Sequence, residues 1–182
     1  MPQLDANNLT FEYETFGDAD APPVLFIMGL GAQMTTWPIE LCQMVADQGY
    51  RVIRFDNRDV GLSSYLDHLG DPDMMEIFGA AMAGDSFDAP YDLADMARDT
   101  VGVLDALGHD TAHIVGASMG GMIAQRLVID HPHRARSLTS IFSMPRFIPG
   151  DDEVLAALMG DAPETRDERI AAGVEAARLF SF

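Results

Sequence analysis

The stretch TAHIVGASMGGM, residues 111–122, decides how this chain folds. Its first half alternates as a short apolar β-strand, and its second half begins an amphipathic run that is typical of a helix. Between the two lies the pattern Gly-x-Ser-x-Gly, with Ser118 at its centre. A strand, a sharp turn and a helix around this pattern are typical of a nucleophile elbow, in which the serine hydroxyl is exposed. We therefore predict that Ser118 is a nucleophile.

The glycines around Ser118 support this interpretation. Gly116 and Gly120 leave room for a tight turn, and Gly121 allows the following helix to lie close to the sheet. The alternative is an ordinary strand–helix turn with an incidental serine, because the pattern alone has a real false-positive rate. A serine hydroxyl is also a weak nucleophile, so the site needs a base from elsewhere in the molecule.

Short apolar runs and amphipathic segments alternate along the rest of the chain. Further strands are predicted at residues 9–16, 24–28, 51–55 and 138–143. Helices are predicted at residues 37–48, from an N-cap at Asp92 to a stop at Gly108, and at residues 119–130. Strands and helices that alternate at these lengths predict an α/β fold with a doubly wound, mostly parallel sheet.

Composition narrows the function classes. The 182 residues are 48% hydrophobic and 22% charged, which is ordinary for a globular domain. The chain has no apolar run of about eighteen residues and no signal pattern at its first residues, so we expect no membrane span and a cytoplasmic location. A net charge of −18 disfavours nucleic acid and anionic membranes as partners. We expect no cofactor and no bound metal.

Two segments interrupt the alternation of strands and helices. Residues 65–90 are longer than a usual connection, and residues 151–182 are acidic, with apolar residues at helical spacing. Both segments could form a lid over a site, or they could simply pack on the surface. We expect residues 1–150 to form an incomplete α/β core and residues 151–182 to begin a helical lid.

Four motifs, in this order, resemble the α/β-hydrolase family. They are VLFIMGLG at residues 24–31, the pair Trp37-Pro38, RFDNRDVGLSS at residues 54–64 and HIVGASMGGMIAQ at residues 113–125. The similarity is strongest to the esterase-like branch that includes the aclacinomycin methylesterases, and it covers nearly the whole chain. It implies the α/β-hydrolase fold, with the lid inserted after the strand at residues 138–143.

The resemblance also implies roles for individual residues. Ser118 matches the nucleophile of the family. The backbone N–H groups of Met119 and Leu30 match the two donors of an oxyanion hole, and the first lies at a helix N-terminus that favours an anion. The family often has His-Gly where this chain has Met28-Gly29, and this difference leaves the backbone donor of Leu30 in place.

The catalytic base is the difficulty. In this fold the triad follows the chain order serine, acid, histidine, so the histidine should follow Ser118. Only His131 and His133 do, and they lie at the far end of a helix, roughly 20 Å from Ser118. The other histidines precede the serine: His68, His109 and His113. We expect the acid and the histidine to come from a second chain or from further sequence, unless the chain is an inactive truncated product.

These observations bound the function. Apolar side chains near the strand ends suit a small apolar ester: Met28, Leu30, Met34, Met119, Met122, Phe142 and Met144. We expect residues 56–59, Asp-Asn-Arg-Asp, to brace a loop rather than to clamp a substrate. The predicted function is a serine hydrolase that cleaves carboxylic esters through an acyl-enzyme. The alternatives are a non-catalytic binding protein on the same scaffold and a C–C hydrolase or haloperoxidase-like enzyme.

Overall fold

The computed structural model describes residues 2–70, 74–83, 85, 87, 89–145 and 165–180. The chain divides into two compact units, residues 1–145 and residues 146–182. The described residues of the first unit form the sheet and four α-helices. In the second unit the described residues form one helix. Thr165 and Glu168 form a capping box at its start: the Thr165 hydroxyl accepts a hydrogen bond from the Glu168 N–H, and the Glu168 carboxylate accepts one from the Thr165 N–H.

The elements follow the predicted alternation. The strands are β1 Gln3–Ala6, β2 Leu9–Phe16, β3 Pro23–Ile27, β4 Arg51–Phe55, β5 Ala112–Ala117 and β6 Ala135–Ile141. The helices are α1 Ile39–Ala46, α2 Met74–Ala83, α3 Leu93–Ala106, α4 Met119–Asp130 and, in the second unit, α5 Arg166–Phe180. Single 3₁₀ turns lie at Met34–Thr36, Asp67–Leu69 and Pro132–Arg134. None of the described helices is long and apolar enough to cross a membrane.

The sheet has the strand order β1-β2-β4-β3-β5-β6. β4, β3, β5 and β6 are parallel, and β1 and β2 join them in antiparallel pairing. The predicted doubly wound, mostly parallel sheet is therefore confirmed. The strand order reverses its direction between β3 and β5, and the crevice outside the carboxyl ends at such a point is where open α/β sheets bind their ligands.

The two faces of the sheet are covered differently. One face packs against α3 and α4 around Leu25, Ile53 and Ile114, which are fully buried. The other face packs around Trp37 and the buried Cys42 of α1. The five central residues of β6 are exposed, and among the described strands β6 pairs only with β5. β6 is thus the open edge of the described sheet.

Several boundaries differ from the predicted ones. The helix predicted at residues 37–48 is α1, which begins after Pro38 because proline precedes the first helical turn without donating a backbone bond. The strand predicted at residues 138–143 starts three residues earlier, opposite the start of β5, and ends before Phe142, whose φ is 35°. β1 was not predicted; it is joined to β2 by a hairpin turn at Asn7 and Asn8, whose φ angles are 52° and 63°.

The boundaries of α3 agree with the prediction. Asp92 accepts hydrogen bonds from the N–H groups of Ala94 and Asp95, and the Asp95 carboxylate accepts one from the Asp92 N–H, which is a complete capping box. Gly108 follows the helix with φ of 77°, a conformation that favours glycine. α3 therefore begins and ends where the sequence indicates, and it fixes the start of β5, the strand that leads to Ser118.

Candidate active site

Ser118 lies in the turn between β5 and α4, with φ of 54° and ψ of −125°. Positive φ is uncommon for a residue other than glycine and marks a strained turn. The Ser118 N–H donates to the carbonyl of Ile141 (3.0 Å), and the Ser118 carbonyl accepts from the N–H of Gly121 (2.9 Å). The side chain is exposed, and its hydroxyl does not cap α4. The turn therefore presents a free hydroxyl at the carboxyl end of β5.

The glycines of the motif allow this turn to pack closely. A Cβ atom on Gly120 would lie 2.3 Å from the carbonyl oxygen of Ile27, and one on Gly116 would lie 2.1 Å from the carbonyl oxygen of Gly120. Both contacts are with backbone atoms, which cannot move aside cheaply. The first turn of α4 therefore lies directly on the end of β3, as the sequence motif predicts.

The loop that follows β3 lies against the nucleophile. A Cβ atom on Gly29 would approach the Ser118 Cβ to 3.0 Å and its Oγ to 3.4 Å, so a side chain here would press on the serine. Asn57 holds this loop by donating from Nδ2 to the carbonyl of Met28 (2.9 Å). Leu30 comes next and is 59% exposed. The contact between Gly29 and Ser118 was not predicted from the sequence.

The structure brings the two predicted oxyanion residues to one place. Leu30 and Met119 border the same cavity of about 470 Å³. Met119 is the first residue of α4, so its N–H has no acceptor within the helix. Neither this N–H nor that of Leu30 donates to a backbone or side-chain acceptor among the described residues.

Aromatic and aliphatic side chains form most of this cavity. They come from the connection between β4 and α3 and include Leu66, Ile77, Phe87, Pro90 and Tyr91. Of the residues expected to form the pocket, Leu30 and Met119 line the cavity, whereas Met34 is fully buried in the core. The apolar character of the site therefore derives mainly from the described residues between Tyr65 and Tyr91 rather than from the methionines at the strand ends.

Residues 56–59 brace the loops around the site, as predicted. Asp56 is buried and accepts hydrogen bonds from the N–H groups of Met34 (2.6 Å) and Leu62 (3.3 Å). A Cβ atom on Gly61 would collide with the same carboxylate, so the loop is wrapped tightly around Asp56. Asp56 thus joins the loop after β3 to the loop after β4 and holds both at the carboxyl end of the sheet.

Arg58 belongs to the same bracing network. Its Nε donates to Asp99 of α3 (2.6 Å), and both side chains are buried. The side chain of Asn7 donates to the other oxygen of Asp99 (3.2 Å). The guanidinium also lies 4.8 Å from the ring centre of Tyr91. Burial, and then a hydrogen bond that the Tyr91 hydroxyl donates to the Asp59 carboxylate, raise the pKa of Tyr91 to about 12, so its hydroxyl stays neutral in the cavity wall.

None of the five histidines forms a hydrogen bond with Ser118. His113 shares a hydrogen bond with the Ser137 hydroxyl (2.7 Å) and contacts the ring of Tyr50. The others lie elsewhere: His68 is exposed in the 3₁₀ turn Asp67–Leu69, His109 precedes β5, and His131 and His133 contact each other after α4. A metal site is not indicated either, since the described residues contain no group of three or more acidic, histidine or cysteine ligands.

The family of proteins with the α/β hydrolase fold matches residues 22–178 of this chain. Together with the strand order and the strained serine between β5 and α4, this match establishes the class. The chain belongs to the α/β-hydrolase fold family.

Individual relatives cover most of this chain. It is similar to the rhodomycin D methylesterase of Streptomyces sp. strain C5, with 32% identity over 158 residues, which cover 87% of this chain and 47% of that protein. It is also similar to the putative carbamate hydrolase RutD of Variovorax paradoxus, with 35% identity over 133 residues, or 73% of this chain and 42% of that protein. The chain spans about half the length of the curated relatives it matches.

Solved structures agree on the fold. The 2-hydroxy-6-oxo-6-phenylhexa-2,4-dienoate hydrolase of Rhodococcus sp. strain RHA1 superposes with a TM-score of 0.74 at 22% sequence identity. The superposition covers 98% of this chain and 57% of that one. At this level of identity the similarity concerns the arrangement of strands and helices.

Proposed function

We propose that this chain is part of a serine hydrolase that cleaves carboxylic esters through an acyl-enzyme on Ser118. One observation carries the proposal: an exposed serine with strained backbone at the end of β5, packed against Gly29 and next to an apolar cavity. Backbone strain of this kind is retained where a function requires it. The methylesterase relative supports esters as the substrate class.

In the proposed reaction the Ser118 oxygen attacks the ester carbonyl carbon, and the π electrons move onto the carbonyl oxygen. The N–H groups of Met119 and Leu30 would donate to this oxyanion, with support from the N-terminal dipole of α4. The C–O bond to the alcohol then breaks, and the alcohol leaves with the proton that the base removed from serine. Water hydrolyses the acyl-enzyme by the same steps.

The base and its acid are proposed to lie outside these 182 residues, on a second chain or on further sequence. The support is that no histidine of the chain forms a hydrogen bond with Ser118. Residues 151–182 would then begin a helical lid, a role that falls largely outside the described residues. The cytoplasmic location expected from the sequence also remains a prediction.

The proposed substrate is a small ester with an apolar group. The cavity of about 470 Å³ beside Leu30 and Met119 is large enough for such a group, and its wall is mainly apolar. Its arginine, Arg58, is already paired with Asp99, so no uncompensated positive charge of this side chain would attract a carboxylate on the substrate.

Active-site labelling tests the nucleophile. The 182-residue chain, supplemented with the polypeptide that carries the missing residues, is treated with a fluorophosphonate ester and digested for mass spectrometry. We expect the phosphonate on the peptide that contains Ser118 and no label in the Ser118→Ala variant. Because Ser143 lies near the same turn, the Ser143→Ala variant is the matched control and should still be labelled. An unlabelled Ser118 in the supplemented protein would contradict the proposal.

A second candidate is a non-catalytic binding protein on the hydrolase scaffold, which the lack of a hydrogen bond between Ser118 and any of the five histidines favours. Hydrolysis of a short-chain nitrophenyl ester separates the two. We expect the 182-residue chain alone to be no faster than its Ser118→Ala variant, and the supplemented protein to be faster. Activity of the chain alone that disappears in the variant would show that its base lies within the chain. No activity after supplementation would favour the binding protein.

A further inference from the structure

A second cavity lies at the opposite end of the sheet from Ser118. It measures about 500 Å³ and is formed by residues 19–23, which lead into β3, by residues 107–111, which lead into β5, and by Arg136 of β6. Because these strands are parallel, the cavity lies at their amino ends. No step of the proposed ester hydrolysis uses it.

Arg136, which lines this cavity, and Arg51 differ from the other arginines of the first unit. Five of its seven described arginines form ion pairs with carboxylates: Arg54, Arg58, Arg98, Arg126 and Arg134. The two that form no ion pair with a described residue are Arg51 and Arg136. Arg136 lines the cavity, whereas Arg51 does not, although its backbone N–H donates to the carbonyl of Pro22 in the wall (2.9 Å). With 29 acidic and 11 basic residues in the chain, a shortage of carboxylates does not explain this.

Neutral acceptors hold both guanidinium groups in place. Arg136 donates from Nε to the Thr111 hydroxyl (2.7 Å), and its Nη groups donate to no described residue. Arg51 donates to the carbonyl of Gly17 (2.6 Å) and to the hydroxyl of Thr15 (2.7 Å). These bonds fix the direction of the side chains without neutralising their charge, which is how an arginine is prepared to receive an anion.

His109 is the titratable residue on which both arginine charges act. It lines the cavity and is half-buried. Burial, and then the charges of Arg51 and Arg136, lower the pKa of His109, so both guanidiniums act on this one position. Asp20 and Asp110 also line the cavity, but neither forms an ion pair with either arginine. The positive charges of Arg51 and Arg136 therefore both act on His109.

We propose that this cavity binds a small anionic molecule through a phosphate or carboxylate group, held by Arg136 with His109 as a further donor, while the charge of Arg51 adds to the attraction. The oxygen atoms of such a group match the planar donor geometry of arginine. The cavity is larger than the anionic group alone, so the ligand carries an uncharged portion that lies along residues 19–23 and 107–111.

Titration with inorganic phosphate, followed by the NMR signals of the His109 ring at constant ionic strength, tests this proposal. We expect a saturable change and a rise in the His109 pKa, because the bound anion offsets the two guanidiniums. Arg136→Gln should weaken binding about tenfold or more, the usual effect of losing a charged hydrogen bond. The matched control is Arg126→Gln, which removes the same charge from α4 and should leave the affinity unchanged. A parallel titration with acetate distinguishes a carboxylate ligand from a phosphate ligand.

A second variant keeps the test decisive if Arg136→Gln does not fold. Thr111→Val removes only the hydroxyl that orients Arg136 and should weaken binding by a smaller factor. A response to phosphate that does not saturate, or an equal loss in the Arg136 and Arg126 variants, would mean general charge screening and would overturn the proposal. None of these measurements uses ester hydrolysis, so their failure is separate from a failure of the proposed function.

Discussion

The two ends of the parallel sheet use their charged groups in opposite ways. At the carboxyl end, around Ser118, the charges are buried and engaged: Asp56 accepts two loop N–H groups, and Arg58 pairs with Asp99. At the amino end, Arg51 and Arg136 have no carboxylate among the described residues. At the carboxyl end, buried carboxylates and an arginine with hydrogen-bond partners hold the loop backbone in place. At the amino end, two arginines without a carboxylate partner remain available to the proposed anionic ligand.

The same comparison explains why the serine has no visible base. His109 and His113 belong to the start of β5, and His131 and His133 belong to the connection that leads to the start of β6. In a parallel sheet these connections lie at the amino ends, whereas Ser118 follows the carboxyl end of β5. Only His68 comes from a carboxyl-end loop, and it is exposed. The topology thus separates most of the histidines from the nucleophile.

The largest expected difference between the two ends concerns two ion pairs on the same helix, α3. Asp99→Ala leaves Arg58 buried without its partner and should lower the free energy of unfolding by about 3–5 kcal/mol. Asp105→Ala removes the partner of Arg134 at the amino end, where Asp105 is 62% exposed, and should lower it by less than about 1 kcal/mol. Urea denaturation of both variants measures this difference. Equal losses would contradict the contrast between the ends.

A pair of glycines gives the next largest difference. Gly120→Ala places a methyl group against the backbone carbonyl of Ile27, so the free energy of unfolding should fall by about 3 kcal/mol. Gly108 at the amino end has φ of 77° and no atom within 4 Å of an added Cβ. Gly108→Ala should therefore lower the free energy of unfolding by about 1 kcal/mol, from backbone strain alone. Thermal unfolding followed by circular dichroism compares them, and a Gly120→Ala variant as stable as Gly108→Ala would speak against tight packing at the elbow.

Sequence patterns predicted those parts of the molecule that depend on local periodicity. The apolar run before Gly29, the Asp92 cap and the Gly-x-Ser-x-Gly motif each specify an element by themselves, and each lies where it was predicted. The strand at residues 138–143 was displaced, because its start is set by pairing with β5 rather than by its own apolar residues. Register between strands is a tertiary property that one strand does not encode alone.

The site was predictable only where residues adjacent in sequence form it. Ser118 and Met119 follow from one motif, and their place beside Leu30 followed from a resemblance. The contact of Gly29 with Ser118 and the wall formed by residues 65–91 arise from long-range packing. The pairing of Arg58 with Asp99 joins residues 41 positions apart, and no spacing rule connects them. The unpaired state of Arg51 and Arg136 is likewise visible only in three dimensions.

At the carboxyl end, alkaline pH should weaken the fold through Tyr91. Its pKa rises from an ordinary 10.0 to about 12 in the folded protein, so above pH 10.0 the unfolded chain releases a proton that the folded chain retains. The stabilisation is complete below pH 10.0 and is lost as the pH rises toward about 12. Tyr91→Phe should flatten this part of the urea-denaturation profile. Tyr65→Phe, which removes a hydroxyl at the same cavity, is the control and should keep the wild-type slope.

At the amino end, acidic pH should weaken the fold through His109, with the smallest effect because the side chain is only half-buried. Burial and the charges of Arg51 and Arg136 lower its pKa from 6.5, so below pH 6.5 the unfolded chain takes up a proton that the folded chain does not. The stabilisation is present above pH 6.5 and is lost as the pH falls through the folded pKa. His109→Gln should reduce the fall in melting temperature on acidification, whereas the exposed His133→Gln should not. If phosphate binds beside His109, it should also reduce the fall in melting temperature of the wild-type chain on acidification. Identical acid profiles for the wild-type chain and the two histidine variants would contradict the electrostatic difference between the two ends.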